Sequence, residues 1–131
     1  MAAESAVAMV EKGYTAVKFD PAGPYTMRGG HMPSMHDIDT SVSFCKTIRD
    51  AVGNRADLLF GTHGQFSTAG AIRMGQALEP FSPLWYEEPT PPDADMTAVT
   101  KTVRIPVSTG ERLTTKSEFA AALRQGVQIL Q

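Results

Sequence analysis

Lys18, His63, Glu87 and Glu111 are the residues through which this sequence could do chemistry. Each falls at the end of a predicted strand. Lys18 ends the first, His63 follows the second, Glu87 ends the third and Glu111 follows the fourth. The intervals are 45, 24 and 24 residues. Twenty-four residues is the scale of one strand–helix repeat, so the last three belong at one height in successive units. In a barrel of parallel strands the C-terminal strand ends form a single mouth, and active sites lie there. Two carboxylates converging at that mouth repel unless something neutralises them. A hard divalent cation such as Mg²⁺ does so through oxygen ligands. It can also stabilise the enediolate formed when a proton leaves the carbon beside a carboxylate.

Each of these residues also has a plainer reading. Glu87 and Glu88 before Pro89 read as a solvated strand end, and Glu111 as a partner of Arg112 or a helix cap. His63 reads as a loop surface residue and Lys18 as a solvated charge. Their recurrence at strand ends is what favours chemistry. His31 and His36 match no metal-ligand spacing, and Cys45 lies on an apolar helical stripe and belongs to the core.

The elements that would position these residues alternate. Helices are predicted over 2–12, 36–52, 68–79, 93–101 and 115–124. Strands are predicted over 15–19, 57–62, 84–87, 105–109 and 127–130. Val42, Cys45, Ile48 and Val52 form a core-facing stripe on the second helix. Ser67 or Thr68 caps the third, and Thr115-x-x-Glu118 is a capping box for the last. Between Asp20 and Ser34 runs a breaker-rich loop long enough to cover a mouth. This alternation means parallel strands with helical crossovers. The strands are short apolar runs, as expected of strands buried on both faces. An open doubly wound sheet and part of a (β/α)₈ barrel both fit. The first carries a glycine-rich phosphate turn after its first strand; here Phe19-Asp20-Pro21-Ala22-Gly23-Pro24 stands instead.

The composition narrows the classes. The chain has 131 residues, 42% hydrophobic and 20% charged, with a net charge of −2. It suits one packed domain and offers no basic excess for nucleic acid. A single cysteine excludes an internal disulfide and agrees with a reducing compartment, so a cytoplasmic location is expected. No apolar run approaches the roughly 18 residues of a membrane span. The first predicted helix starts at the N-terminus and the last strand ends at the C-terminus. Both suggest a piece of a longer protein.

Four segments, Lys18-Phe19-Asp20-Pro21, Gly61-Thr62-His63-Gly64-Gln65, Trp85-Tyr86-Glu87-Glu88-Pro89 and Ser108-Thr109-Gly110-Glu111-Arg112, stand in the order and spacing of the enolase superfamily. The chain most resembles its mandelate racemase/muconate lactonizing enzyme branch, and within it acid-sugar dehydratases of the galactonate-dehydratase type. The likeness covers essentially the whole chain. It implies an α/β fold, a partial (β/α)₈ TIM-type barrel comprising roughly strands 2 to 6 with their helices. Residues 1–131 would all be barrel, with an N-terminal capping domain and later strands supplied elsewhere. Alone, such a half-barrel is expected to be inactive and to aggregate, dimerise or fold partially.

The resemblance also implies roles. Glu87 and Glu111 match two carboxylate ligands of an essential Mg²⁺. His63 matches the general acid that expels a β-hydroxyl, and Lys18 a catalytic lysine position. Asp20 and Arg112 would contact substrate. The implied reaction removes the α-proton of a sugar acid and eliminates water to give a 2-keto-3-deoxy acid. The implied full-length enzyme is a homo-oligomer with a small-molecule substrate. Three departures stand out. Gly61 occupies the position of the family's first metal ligand, so metal binding is weakened, recruits His63 or Asp20, or is lost. Lys18-Phe19-Asp20 replaces the Lys-x-Lys of the lysine-based racemases. The Asp…His dyad that supplies the base belongs to later strands. A racemase, epimerase or cycloisomerase of the same superfamily remains open, as does a non-catalytic α/β module without a metal site.

Overall fold

The computed structural model describes residues 2–22 and 30–131. Five helices alternate with five strands in chain order: α1 Ala2–Glu11, β1 Ala16–Phe19, α2 Met35–Val52, β2 Asp57–Gly61, α3 Thr68–Leu78, β3 Trp85–Glu87, α4 Thr97–Thr102, β4 Val107–Thr109, α5 Lys116–Arg124 and β5 Ile129–Leu130. A 3₁₀ turn, Glu79–Phe81, follows α3, where Pro80 interrupts regular helix.

The strands form one parallel sheet in the order β1-β2-β3-β4-β5. Each strand lies beside the next one in sequence, so the winding never reverses. A doubly wound sheet has a reversal point where its ligand crevice forms. This sheet has none and is an arc of a (β/α)₈ barrel.

Register decides what each face carries. Phe60 aligns with Tyr86, and Tyr86 with Val107. These three and Leu58 are fully buried. They join one apolar core with Ile48, Val52 and Cys45 of α2, Met74 and Leu78 of α3, and Val99 of α4. Because side chains alternate along a strand, the opposite face carries Lys18, Leu59 and Trp85 in one row and Gly61, Glu87 and Ser108 in the next. The polar candidates thus sit on the face the helices leave uncovered. Burial pushes the Cys45 thiol up to about 12, in keeping with its place in the core.

Local chemistry sets the element ends. Ser34 and Asp37 form a reciprocal capping box at α2, and Thr115 and Glu118 form one at α5. Ser67 caps α3 by accepting from the Gly70 N–H. Gly13, at φ +96°, closes the turn after α1.

Three expectations need correction. Residues 93–96 are not helical, and α4 begins at Thr97. Pro91 and Pro92 favour a turn, closed by the Ala94 N–H on the Pro91 carbonyl, and the Asp95 carboxylate takes the Thr97 N–H. The strands predicted from residues 105 and 127 begin two residues late, at Val107, just past Pro106, and at Ile129. Nor is β1 buried on both faces: Ala16 and Lys18 are exposed and Val17 and Phe19 half-buried, because β1 has a strand neighbour on one side only. Residues 23–29 of the breaker-rich loop lie outside the described residues, so its expected position over the mouth does too.

Leu58→Ala in the whole protein should lower its unfolding free energy by about 2–5 kcal/mol, as truncation of a fully buried leucine does. Thr115→Ala, which removes one cap, should lower it by about 1 kcal/mol. Denaturant titration measures both; a larger loss at Thr115 than at Leu58 would contradict this account of the core.

Candidate active site

The C-terminal ends of β1 to β4 bring the candidates together. Lys18 lies on β1, one residue before its end. His63 lies two residues past β2, Glu87 is the last residue of β3, and Glu111 lies two residues past β4.

Glu87 is the buried member, with 1% of its surface exposed. An unpaired buried carboxylate is strongly disfavoured. Lys18 Nζ stands 2.5 Å from Glu87 Oε1, and Trp85 Nε1 donates to Oε2 at 3.2 Å. The Thr62 hydroxyl, 3.1 Å from the Glu87 carbonyl and 3.0 Å from the Glu88 carbonyl, holds the backbone at the strand end.

His63 stands between two acids. Its Nε2 lies 3.8 Å from Asp20 Oδ2 and its Nδ1 3.9 Å from Glu111 Oε1. Arg112 donates from Nη2 to the His63 carbonyl at 2.6 Å and places Nε 3.7 Å from Glu111 Oε1. One cluster therefore joins Asp20, His63, Glu111 and Arg112. The other joins Lys18, Glu87 and Trp85. Asp20 is bent back by the Ala22 N–H, which donates to its Oδ1 at 2.7 Å. Burial holds its carboxyl above the usual range, while that N–H and His63 oppose the shift.

Two non-glycine residues here adopt left-handed backbone, His63 at φ +57° and Glu88 at φ +48°. Such conformations are disfavoured for side chains bearing a Cβ and concentrate at functional sites. The His63 turn leads into Gly64, whose N–H donates to the Glu88 carbonyl at 2.6 Å. A Cβ at Gly64 would meet the Thr90 carbonyl and the Arg112 guanidinium at 3.1 Å.

Glu88 is a residue the sequence pattern does not single out. It is as buried as Glu87. Its Oε1 accepts from the Thr109 hydroxyl at 2.7 Å and the Gly110 N–H at 2.8 Å. It thereby fastens the turn that leads into Glu111. A signal existed: successive strand residues point to opposite faces, so two adjacent acids at a strand end need two environments. His31 does not join the site. It pairs by backbone with Gln65 and Ser67 and packs its ring on Phe66 at 5.3 Å. His36 is exposed in the first turn of α2.

The family model described as "Enolase C-terminal domain-like" matches residues 1–131. The chain belongs to that family. It is similar to the D-gluconate/D-galactonate dehydratase of Picrophilus torridus, 41% identical over 120 residues covering 90% of this chain and 30% of that protein. It is also similar to the D-xylonate dehydratase of Haloferax volcanii, 34% identical over 117 residues covering 85% of this chain and 28% of that one. Among solved structures, a mandelate racemase/muconate lactonizing enzyme-like protein from Roseovarius sp. TM1035 is 72% identical. Its TM-score is 0.95, over 100% of this chain and 34% of that one. The chain spans about a third of the length of these relatives. The parallel five-strand sheet thus corresponds to part of the C-terminal barrel domain of this superfamily.

Members of this superfamily that act as dehydratases generally use Mg²⁺. Among the described residues no group of three His, Cys, Asp or Glu side chains converges as a ready-made metal cage. Mg²⁺ commonly keeps several waters and takes one or two carboxylates together with substrate oxygens. Glu87 and Glu111 lie at neighbouring strand ends and offer that open arrangement its carboxylates, while Gly61, at the position the resemblance gives to the family's first metal ligand, offers no oxygen side chain. Ser108, register partner of Glu87, offers a buried Oγ that has no hydrogen-bond partner among the described residues. Glu87, Glu111 and Ser108 are all hard oxygen donors, as the ion requires.

The Asp20 shift has a testable sign. Its folded value lies above the ordinary 3.8. The folded state therefore keeps a proton that the unfolded chain has released. Stability falls as pH rises from that ordinary value through the folded one. Asp20→Asn should raise the melting temperature of the whole protein at pH 7 and leave it nearly unchanged at pH 3. An equal gain at both pH values would rule out desolvation of Asp20 as its source.

Proposed function

We propose that the protein to which this chain belongs is a Mg²⁺-dependent acid-sugar dehydratase. It would remove the α-proton of a sugar acid and eliminate the β-hydroxyl as water, leaving a 2-keto-3-deoxy acid. The observation that carries this reading is His63, fixed at the mouth between Asp20 and Glu111 and within the same set of strand ends as Glu87. The names of the dehydratases it resembles, D-gluconate/D-galactonate and D-xylonate dehydratase, support the substrate class.

Glu87 and Glu111 would hold the ion, whose positive charge stabilises the enediolate when it is bound. His63 would act as general acid. It gives its proton to the departing β-hydroxyl, the Cβ–O bond breaks, and water leaves as the enol of the keto acid forms. That enol then ketonises. Arg112, bonded to the His63 carbonyl, fixes the ring's backbone and faces the substrate with Asp20. Lys18 would place an ammonium where negative charge develops on the substrate. The base that takes the α-proton would come from barrel strands outside this chain, and a capping domain would add substrate contacts.

His63→Asn in the whole protein separates the two half-reactions. Dehydration should fall by roughly 10²–10⁴-fold, the usual worth of a positioned acid. Exchange of the α-proton with deuterium from solvent should persist, read by NMR with a gluconate, galactonate or xylonate substrate. Wild-type dehydration by the variant would remove His63 from this role.

A further inference from the structure

Lys18 reaches Glu87 from two strands away. It lies on β1, Glu87 lies on β3, and β2 runs between them. Adjacent strands stand about 4.8 Å apart, so the lysine stem must cross β2. It crosses at Gly61, the register partner of Glu87. A Cβ built at Gly61 would stand 3.1 Å from Lys18 Cε and 3.7 Å from Glu87 Oε1. Gly61 is not among the glycines with left-handed backbone. Its conformation would accept other residues, so what glycine provides here is room for the lysine. Glycine inside a strand often marks such a close approach.

The ion pair is also openable. The Glu87 side chain is 1% exposed, whereas that of Lys18 is 48% exposed. Swinging the ammonium away would unpack no core. A divalent cation at Glu87 would share one carboxylate with the Lys18 ammonium, which holds its Oε1. Two positive charges crowded on one carboxylate repel each other.

We propose that Lys18 is a built-in competitor for the cation at Glu87, admitted by the missing side chain at Gly61. Ammonium and divalent ion are then alternative partners of one buried carboxylate. The lysine neutralises Glu87 when no ion is bound and is released towards the mouth when one binds. This inference rests on the proposed role of Glu87 as a cation ligand, not on the reaction.

The test is Mn²⁺ binding to the whole protein after chelator treatment, followed by calorimetry and by the spin resonance of free Mn²⁺. Lys18→Met should tighten binding by tenfold or more. Gly61→Ala keeps every charge and crowds the lysine stem by a few tenths of an ångström, so it should tighten binding to a smaller degree. Adding Glu87→Gln to Lys18→Met should abolish the gain. Unchanged or weaker binding in Lys18→Met overturns the proposal, as does absence of Mn²⁺ binding in both parent and variant. If Lys18→Met does not fold, Lys18→Gln decides by the same criterion. Turnover is a separate readout. A protein that shows the Mn²⁺ gain but dehydrates no sugar acid upholds this inference and refutes the reaction.

Discussion

The site depends on a carboxylate buried at the end of a central strand. Glu87 has almost no contact with solvent, yet it stands on the sheet face that no helix covers. A charge in that position must be met by a partner. The ammonium of Lys18 and the indole N–H of Trp85 are its partners. Much of the neighbouring geometry accommodates them. Gly61 leaves a path across β2, and Ser108 leaves a second oxygen beside the carboxylate.

The second acid, Glu88, solves a different problem. Its neighbour serves the open face, while Glu88 turns through left-handed backbone and ties down the β4 end through Thr109 and Gly110. A buried carboxylate that accepts a backbone N–H and a hydroxyl is held by charge-assisted bonds, the stronger kind. Glu111 and Arg112 begin directly after that anchor. The position of His63 follows in turn, since Arg112 holds its carbonyl and Gly64 pins the next residue to the Glu88 carbonyl. The last residue of β3 and the one after it thus hold both halves of the site, Glu87 through Lys18 and Glu88 through the loops.

Several features were legible in the residues themselves. The alternation of α2, β2, α3 and β3 followed from apolar spacing, caps and breakers, which act over a few residues and need no tertiary contact. Ser67, and the reciprocal pair Thr115 and Glu118, behave as such local signals should. Residues 93–96 did not, because a proline pair and an Asp side chain outcompeted a weak helical pattern. The exposure of β1 was not legible either. A short apolar run has the same composition whether one strand or two lie beside it.

Residue types and spacing alone set the order of elements, the strand ends on which Lys18, His63, Glu87 and Glu111 fall, and the family to which those segments point. Spacing and side-chain chemistry are properties of the chain and survive without contacts. Tertiary structure confirmed the barrel arc that the resemblance implied; an open sheet has the same alternation and differs only in which strands are neighbours. It also decided that Lys18 meets Glu87 across a glycine and that His63 stands between Asp20 and Glu111. Those pairings join residues 43 to 69 positions apart in different strands and loops, and they form because of register. Parallel strands aligned residue by residue bring distant side chains to one face, and the spacing that predicts a shared height does not say which side chains meet.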